Sequence, residues 1–202
     1  MPVIKAVIFD LGKVIFDLSF DRVFQSWANS SHRDMEDIKS KFQFDEVSDT
    51  FERGHISAEE FRSNISQRLN LDLSNNEFDT GWSDLYLDIY PGIDDLLVQL
   101  KSKCKLVALT NTNIIHSRIW PIKYASTLSY FEKVFSSHEI GTRKPESKAY
   151  EIVLNYLECK PAETLFLDDN AENIEGAREL GIKTILVSSK EQMEEDLRKD
   201  MG

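Results

Sequence analysis

Apolar strands and amphipathic helices alternate along the second half of the chain, and this alternation restricts the fold more than any other feature. Short apolar runs predict strands at about 4–10, 105–110, 133–136, 164–168 and 183–187. Helical spacing of apolar residues predicts helices at about 93–102, 146–157 and 171–180, followed by an acidic terminal helix. Strands and helices in this order predict an α/β fold, a doubly wound parallel sheet with right-handed crossovers.

A helical segment interrupts this series after the first strand. From about Ser19 to Tyr86 apolar residues recur at helical spacing, Ser57 and Glu60 form a capping box, and no convincing strand is present. The sequence therefore predicts a helical cap at 17–86, inserted into a Rossmann-like core at 1–16 and 87–202. Such an insert leaves and re-enters the core beside the crevice at the strand ends, where a lid is useful. Most of its aromatic residues are expected to form the cap's own core: Phe20, Phe24, Trp27, Phe42, Phe44, Phe51 and Phe61.

Two of the predicted strands end in carboxylates. Asp10 follows the apolar run at 7–9, and Asp168-Asp169 follow the apolar run at 165–167. A carboxylate at the end of a buried strand is costly unless it is paired or used, and Gly12 suggests a tight turn whose N–H groups face an anion. Because ligands of such sheets bind at the carboxyl ends of the strands, these acids can converge at one crevice and hold a divalent cation.

Other positions at the same edge add a hydroxyl, an amide and a cation. The strand at 105–110 ends in Thr110-Asn111, and Lys144 lies at the start of a predicted helix. With Asp10 as a nucleophilic carboxylate, this set suits phosphoryl transfer, because Mg²⁺ and a lysine balance the charge on the phosphoryl oxygens.

At these residues the chain resembles the phosphatases of the haloacid dehalogenase (HAD) superfamily, whose four motifs occur in the same order. Asp10 matches the nucleophile of the first motif, Thr110 the hydroxyl of the second, Lys144 the cation of the third and Asp168-Asp169 the acids of the fourth. The resemblance covers the whole chain. It implies a phosphoric monoester hydrolase that depends on Mg²⁺ and acts on a small phosphorylated metabolite.

The resemblance also implies a role for each matched residue. Asp10 would attack the phosphate, form an aspartyl-phosphate and bind Mg²⁺, with the Gly12 carbonyl and Asp169 as further ligands. Asp168 would be a supporting acid at the edge of the metal site. Three residues would hold the phosphate: Thr110, Asn111 through its backbone N–H, and Lys144.

Gly12 is the position at which the chain departs from the pattern. Most phosphatases of the superfamily have a second Asp here that protonates the leaving group, and such help contributes roughly 10²–10⁴-fold. Three explanations are open: Asp17 or a cap residue donates the proton, the leaving group needs little help, or the protein is a weak phosphatase. The motifs Asp-Leu-Gly-x-Val and Asp-Asp-Asn are similar to those of bacterial α-glucose-1-phosphate phosphatases, and this favours a sugar phosphate such as glucose 1-phosphate.

Two other functions remain open at this point. A 2-haloacid dehalogenase uses the same nucleophile on carbon and also lacks the acid at Gly12, but it has no use for Asp168 and Asp169 together. A pseudophosphatase would bind Mg²⁺ and a phosphosugar and turn it over slowly.

Composition excludes several classes of function. The net charge of -11 argues against a nucleic-acid partner, since affinity for phosphate backbones comes from clustered Lys and Arg. Cys104 and Cys159 have no metal-binding or redox spacing and are expected to be reduced thiols, and the four histidines share no ligand spacing. No segment is apolar over a length that spans a membrane, and the cytoplasm is the expected location. The sequence gives no indication of the oligomeric state.

Overall fold

Residues 3–201, which the computed structural model describes, form seven β-strands and twelve α-helices. The strands are β1 (Ala6–Phe9), β2 (Phe16–Leu18), β3 (Tyr86–Ile89), β4 (Lys105–Thr110), β5 (Lys133–Ser136), β6 (Thr164–Asp168) and β7 (Lys183–Leu186). The first six helices are α1 (Phe20–Ser31), α2 (Met35–Lys41), α3 (Glu46–Glu52), α4 (Ala58–Leu69), α5 (Asn75–Ser83) and α6 (Ile93–Lys101). The others are α7 (Trp120–Lys123), α8 (Ala125–Leu128), α9 (Ser137–Ile140), α10 (Ser147–Leu157), α11 (Ala171–Glu179) and α12 (Lys190–Met201).

Five strands form one parallel sheet in the order β5-β4-β1-β6-β7. Alternate residues of each strand enter two separate hydrophobic clusters, as the period of two in a strand requires. In β1, Val7 and Phe9 pack on one face of the sheet, while Ala6 and Ile8 pack on the other. The predicted doubly wound α/β fold is confirmed. The first strand is shorter than predicted: it spans Ala6–Phe9, and Asp10 lies beyond its last residue.

The helices α1 to α5 make up the insert that follows the first strand, and all of them lie within the predicted cap at 17–86. The insert leaves and rejoins the sheet through β2 and β3, which pair antiparallel with Phe16 opposite Ile89 and Leu18 opposite Tyr86. These two strands are not predicted from the sequence, because each is only three or four residues long and has no alternating pattern of burial.

One hydrophobic cluster joins the insert to the sheet. It contains Val7 and Phe9 of the central strand together with Trp27, Phe51 and Phe61 of the insert. The buried aromatic residues of the insert form a core, as expected, but this core is shared with the sheet and does not belong to the cap alone. Within it Phe51 stacks on Phe61 at a centroid distance of 4.1 Å.

Among residues 3–201, no helix has both the length and the apolar character that a membrane span requires. Cys104 and Cys159 are free thiols and half-buried.

Candidate active site

The Lys144 ammonium joins two carboxylates at the ends of neighbouring strands. Its Nζ donates to Asp10 Oδ1 over 2.7 Å and to Asp168 Oδ2 over 2.6 Å. Asp10 follows β1 and Asp168 ends β6, which pair in parallel, so the sheet itself brings the two acids together. The Lys144 side chain is 1% exposed. Burial acts to lower the pKa of Lys144, but the two carboxylates outweigh it and raise that pKa, so the lysine stays charged.

Burial also raises the pKa of the Asp10 carboxyl, to about 7. The Lys144 ammonium opposes this rise, while the neighbouring Asp168 and Asp169 add to it. The site therefore holds more negative charge than one lysine can neutralise, and it favours a further cation.

The carboxylates of Asp10, Asp168 and Asp169 each offer an oxygen, and these three oxygens lie within 4.8 Å of one another. Asp168 is fully buried and heavily bonded, since its oxygens accept hydrogen bonds from Lys144, from the Asn170 backbone N–H and from Asn173 Nδ2. Asp169 is exposed and lines the cavity in front of the strand ends. Oxygen donors of this kind are the ligands that Mg²⁺ prefers.

Asn111 fixes the backbone of the catalytic lysine candidate. Its Nδ2 donates to the Lys144 carbonyl and its Oδ1 accepts from the Lys144 N–H, each over 2.9 Å. Thr110 ends β4 beside it and is 7% exposed. The side chain of Asn111 thus fixes the Lys144 backbone relative to the end of β4.

Six of the seven site residues predicted from the sequence line a single cavity of about 390 Å³: Asp10, Gly12, Thr110, Asn111, Lys144 and Asp169. Asp168 does not line the cavity, but it is hydrogen-bonded to three residues that do, Lys144, Asn170 and Asn173. The assignment of a separate role to each residue stays a prediction. A second cavity, of about 460 Å³, lies between α6 and α12 and contains none of these residues.

Aromatic rings line much of the cavity. Phe20 and Phe44 were predicted to belong to the cap's core, but both line the cavity, and Phe44 is 58% exposed. The other aromatic residues of the lining are Phe16, Trp82, Tyr86 and Trp120.

A buried histidine holds one of these rings in place. His116 Nε2 lies 2.9 Å from the Trp82 carbonyl, Nδ1 lies 3.1 Å from Asn113 Nδ2, and its ring stacks on Trp82 with a centroid distance of 4.9 Å. Burial lowers the pKa of His116 to about 4, so the ring is neutral near pH 7. His116 therefore packs against Trp82 and also lines the cavity.

Charged pairs fasten the insert to the core at the rim of the cavity. Arg143 Nε donates to Glu52 Oε2 over 2.8 Å and its Nη1 lies 3.0 Å from Asp49 Oδ1, while Arg53 Nε donates to Glu146 Oε1 over 2.6 Å. Glu52 lines the cavity and was not among the site residues predicted from the sequence. No local sequence pattern distinguishes it, because it is one of several acids in a polar helical stretch.

The chain shares this architecture with known proteins. A model of haloacid dehalogenase-like hydrolases matches residues 4–181. The D-ribitol-5-phosphate phosphatase of Bacteroides thetaiotaomicron is 26% identical over 186 residues, which are 90% of each chain. A sesquiterpene phosphatase of Aspergillus oryzae is 29% identical over 182 residues, 88% of this chain and 87% of the relative. A HAD family enzyme of B. thetaiotaomicron, solved as an alanine variant with magnesium and inorganic phosphate, superposes with a TM-score of 0.81 at 31% identity, over 93% of this chain and 95% of that one.

The chain belongs to the haloacid dehalogenase-like hydrolases, as its four motifs indicated. Its class of activity, phosphoric monoester hydrolase, is the one predicted from the sequence, and the phosphatases among its relatives confirm it.

Proposed function

We propose that this protein hydrolyses a small sugar or polyol phosphate, such as glucose 1-phosphate, through an aspartyl-phosphate on Asp10. The observation that carries the proposal is the Asp10 carboxylate itself. It faces a cavity of about 390 Å³ at the strand ends, and the buried Lys144 ammonium holds one of its oxygens at 2.7 Å. A carboxylate fixed in this way is oriented for attack on phosphorus, and the same ammonium stabilises charge on the phosphoryl oxygens.

The remaining residues of the cavity have roles that follow from their chemistry. Thr110 and the Asn111 backbone N–H are hydrogen-bond donors for the phosphate. Asp168 accepts a hydrogen bond from Lys144 and so favours the charged form of the lysine. Further hydrogen bonds from the Asn170 N–H and Asn173 hold the Asp168 carboxylate in place.

Mg²⁺ is the cofactor, as predicted from the sequence. The three carboxylate oxygens within 4.8 Å of one another fit a hard divalent cation, and the related HAD enzyme of B. thetaiotaomicron was crystallised with magnesium. We propose Asp10, Asp169 and the Gly12 carbonyl as its protein ligands. When bound, Mg²⁺ supplies positive charge that favours the ionised carboxylates and stabilises negative charge on the phosphate.

The substrate proposal rests on the size and lining of the cavity. A volume of about 390 Å³ lies near the lower end for ligand sites, and this favours a substrate about as large as one sugar unit. The aromatic residues of the lining offer apolar faces, and Glu52 adds a carboxylate with one oxygen that can accept from a hydroxyl. A polyol phosphate is the substrate named for one relative and a sesquiterpenoid for another, so a prenyl phosphate belongs in any test.

Two alternatives have less support. A dehalogenase attacks carbon without a metal, and the extra charge of Asp168 and Asp169 would then have no function. A pseudophosphatase would bind the same ester without release of phosphate.

The proposal is tested with a panel of phosphate esters: glucose 1-phosphate, glucose 6-phosphate, ribitol 5-phosphate, a prenyl phosphate, a nucleoside monophosphate and an aryl phosphate. Each is assayed with Mg²⁺, with EDTA, and with Asp10→Asn, which keeps the shape of the side chain and removes the nucleophile. We expect Mg²⁺-dependent release, fastest on a sugar or polyol phosphate and absent from Asp10→Asn. Tight binding without release would favour the pseudophosphatase, and chloride release from 2-chloropropionate in EDTA would favour the dehalogenase.

A further inference from the structure

The proposed phosphatase function leaves one proton without a source. Gly12 has no side chain, and a Cβ built there would lie 2.7 Å from Leu18 Cδ1, so Leu18 would have to move before an acid could occupy this position. Asp17, the nearby alternative, is already engaged: its Oδ1 accepts from Lys13 Nζ, from the Leu18 N–H and from the Tyr90 hydroxyl. The hydrogen bond from Lys13 lowers the pKa of Asp17 despite partial desolvation, which makes it a poor proton donor.

Glu52 is the acid that the insert contributes to the cavity. Three carboxylates line this cavity, and the other two, Asp10 and Asp169, come from strand ends of the core. Glu52 ends α3 of the insert, and its side chain is 21% exposed. An ester whose phosphate is held by Lys144 at the strand ends would extend its alcohol part into the rest of the cavity, which Glu52 lines.

Contacts from both parts of the chain fix the position of Glu52. Its Oε2 accepts from Arg143 Nε over 2.8 Å, and Arg143 is the neighbour of Lys144 in the chain. Gly54, two residues beyond, has φ +70° and approaches the core so closely that a Cβ would lie 2.4 Å from the His138 carbonyl. Within residues 3–201, Oε2 is the Glu52 oxygen with a hydrogen-bond donor, which leaves Oε1 available to a substrate.

The surroundings of Glu52 favour its protonated form. Burial raises the pKa of its carboxyl, Asp49 adds to the rise, and the charges of Arg143 and Lys144 oppose it without cancelling it. The Tyr86 hydroxyl is also close to Glu52, and burial raises its pKa so that it stays neutral. A carboxyl with a raised pKa is suited to donate a proton near neutral pH.

We propose that Glu52 is the catalytic acid and base that replaces the side chain missing at Gly12. In the first half of the reaction the bond from Asp10 Oδ to phosphorus forms, the bond from phosphorus to the alcohol oxygen breaks, and the Glu52 proton moves to that oxygen. In the second half a water oxygen bonds to phosphorus, the bond to Asp10 breaks, and the water proton returns to Glu52. The sum is ester plus water giving alcohol plus phosphate.

A proton donor at Glu52 increases the range of esters that the enzyme can hydrolyse. With a proton donor in the cap, the enzyme does not depend on a good leaving group. Phosphates of primary alcohols, such as the 5-phosphate of a polyol, then become substrates as suitable as anomeric phosphates.

The test compares Glu52→Gln with the unchanged enzyme on two esters, ribitol 5-phosphate and an aryl phosphate. Glutamine retains an oxygen that accepts from Arg143 but has no proton to donate in catalysis. We expect kcat/KM to fall roughly 10²–10⁴-fold on the alkyl ester, which needs the proton, and far less on the aryl ester, which does not. The alkaline limb of the pH profile on the alkyl ester should disappear with the same substitution.

Asp49→Asn is the matched control, because it removes the other carboxylate on Arg143. Since Asp49 also helps to raise the pKa of Glu52, we expect this substitution to shift the alkaline limb on the alkyl ester to lower pH and to leave the rates on both esters nearly unchanged below that limb. Equal losses on both esters in Glu52→Gln would show that Glu52 only positions Arg143, and unchanged activity would exclude any role; either result overturns the proposal. Circular dichroism of each variant checks that it is folded. If the unchanged enzyme hydrolyses no ester of the panel, the proposed function fails, whereas an active enzyme indifferent to Glu52→Gln refutes this assignment alone.

Discussion

Replacement of Lys144 by methionine removes the cation that the two buried carboxylates share. The lysine side chain is 1% exposed, and those of Asp10 and Asp168 are 12% and 0% exposed. Loss of one partner from a buried ion pair costs about 3–5 kcal/mol, because the other charge stays buried and unpaired. In a chain of this size each kcal/mol shifts Tm by about 2–4 °C, so Lys144→Met should lower Tm by about 6–20 °C.

Thermal unfolding followed by circular dichroism measures this change, in EDTA so that no metal compensates. Loss of Lys144 raises the pKa of Asp10 further, so the shift in Tm should grow with pH as Asp10 loses its proton. Lys199→Met is the matched control, since Lys199 also contacts two carboxylates, Glu195 and Asp196, but its side chain is 62% exposed. We expect no measurable shift in the control. The addition of Asp168→Asn to Lys144→Met should recover part of the loss, because it removes a charge that has lost its partner. A shift in Lys144→Met no larger than in Lys199→Met would refute the idea that a buried charged cluster holds the site together.

Two further predictions concern the packing around the cavity. Gly54→Ala should lower both kcat/KM and the free energy of unfolding, the latter by more than about 1 kcal/mol, because φ is +70° and the new Cβ would meet the His138 carbonyl at 2.4 Å. Gly141→Ala is the control, because Gly141 has a similar φ of +71° but open space around it, so this substitution adds the backbone strain without the contact. Urea titrations compare the two variants, and equal effects would contradict the close approach of the insert to the core. The pKa of His116 is about 4 in the folded chain and near 6.5 in the unfolded chain. The neutral ring is therefore favoured by folding, and its contribution to the free energy of unfolding should be complete above about pH 6.5. This contribution should fall by about 3 kcal/mol as the pH drops to about 4. His116→Gln should flatten that part of the dependence of urea midpoints on pH, whereas the exposed His55→Gln should not; the same slope in both variants would show that His116 is not the group responsible.

The sequence predicts the sheet and the core half of the site well, for a physical reason. A strand buried on both faces is a continuous apolar run, and the polar residue that ends it is conspicuous. Asp10, Thr110 and Asp168 stand at such ends, and parallel pairing brings them together without any further information.

The contribution of the insert to the site is harder to predict. The aromatic stripe assigns Phe44 and Phe51 equally to a core, yet Phe44 lies in the loop between α2 and α3 and is 58% exposed at the cavity, whereas Phe51 on α3 is buried. Where each of these short helices ends, and how the helices pack, is not marked in the local sequence. Glu52 is distinguished from Asp49, three residues earlier, only by its place in the cavity, and Asp49 contacts the same arginine.

The hydrophobic cluster shared by the insert and the sheet restricts how the insert can be exchanged by protein engineering. A cap with its own closed core would be a module that can be exchanged between relatives through the two strands at its base. Here Trp27 and Phe61 belong to the same cluster as Val7 and Phe9, so removal of the insert would expose part of the apolar face of the central strand to water. Transfer of specificity from a relative will therefore require the insert and the face of the sheet beneath it to be exchanged together.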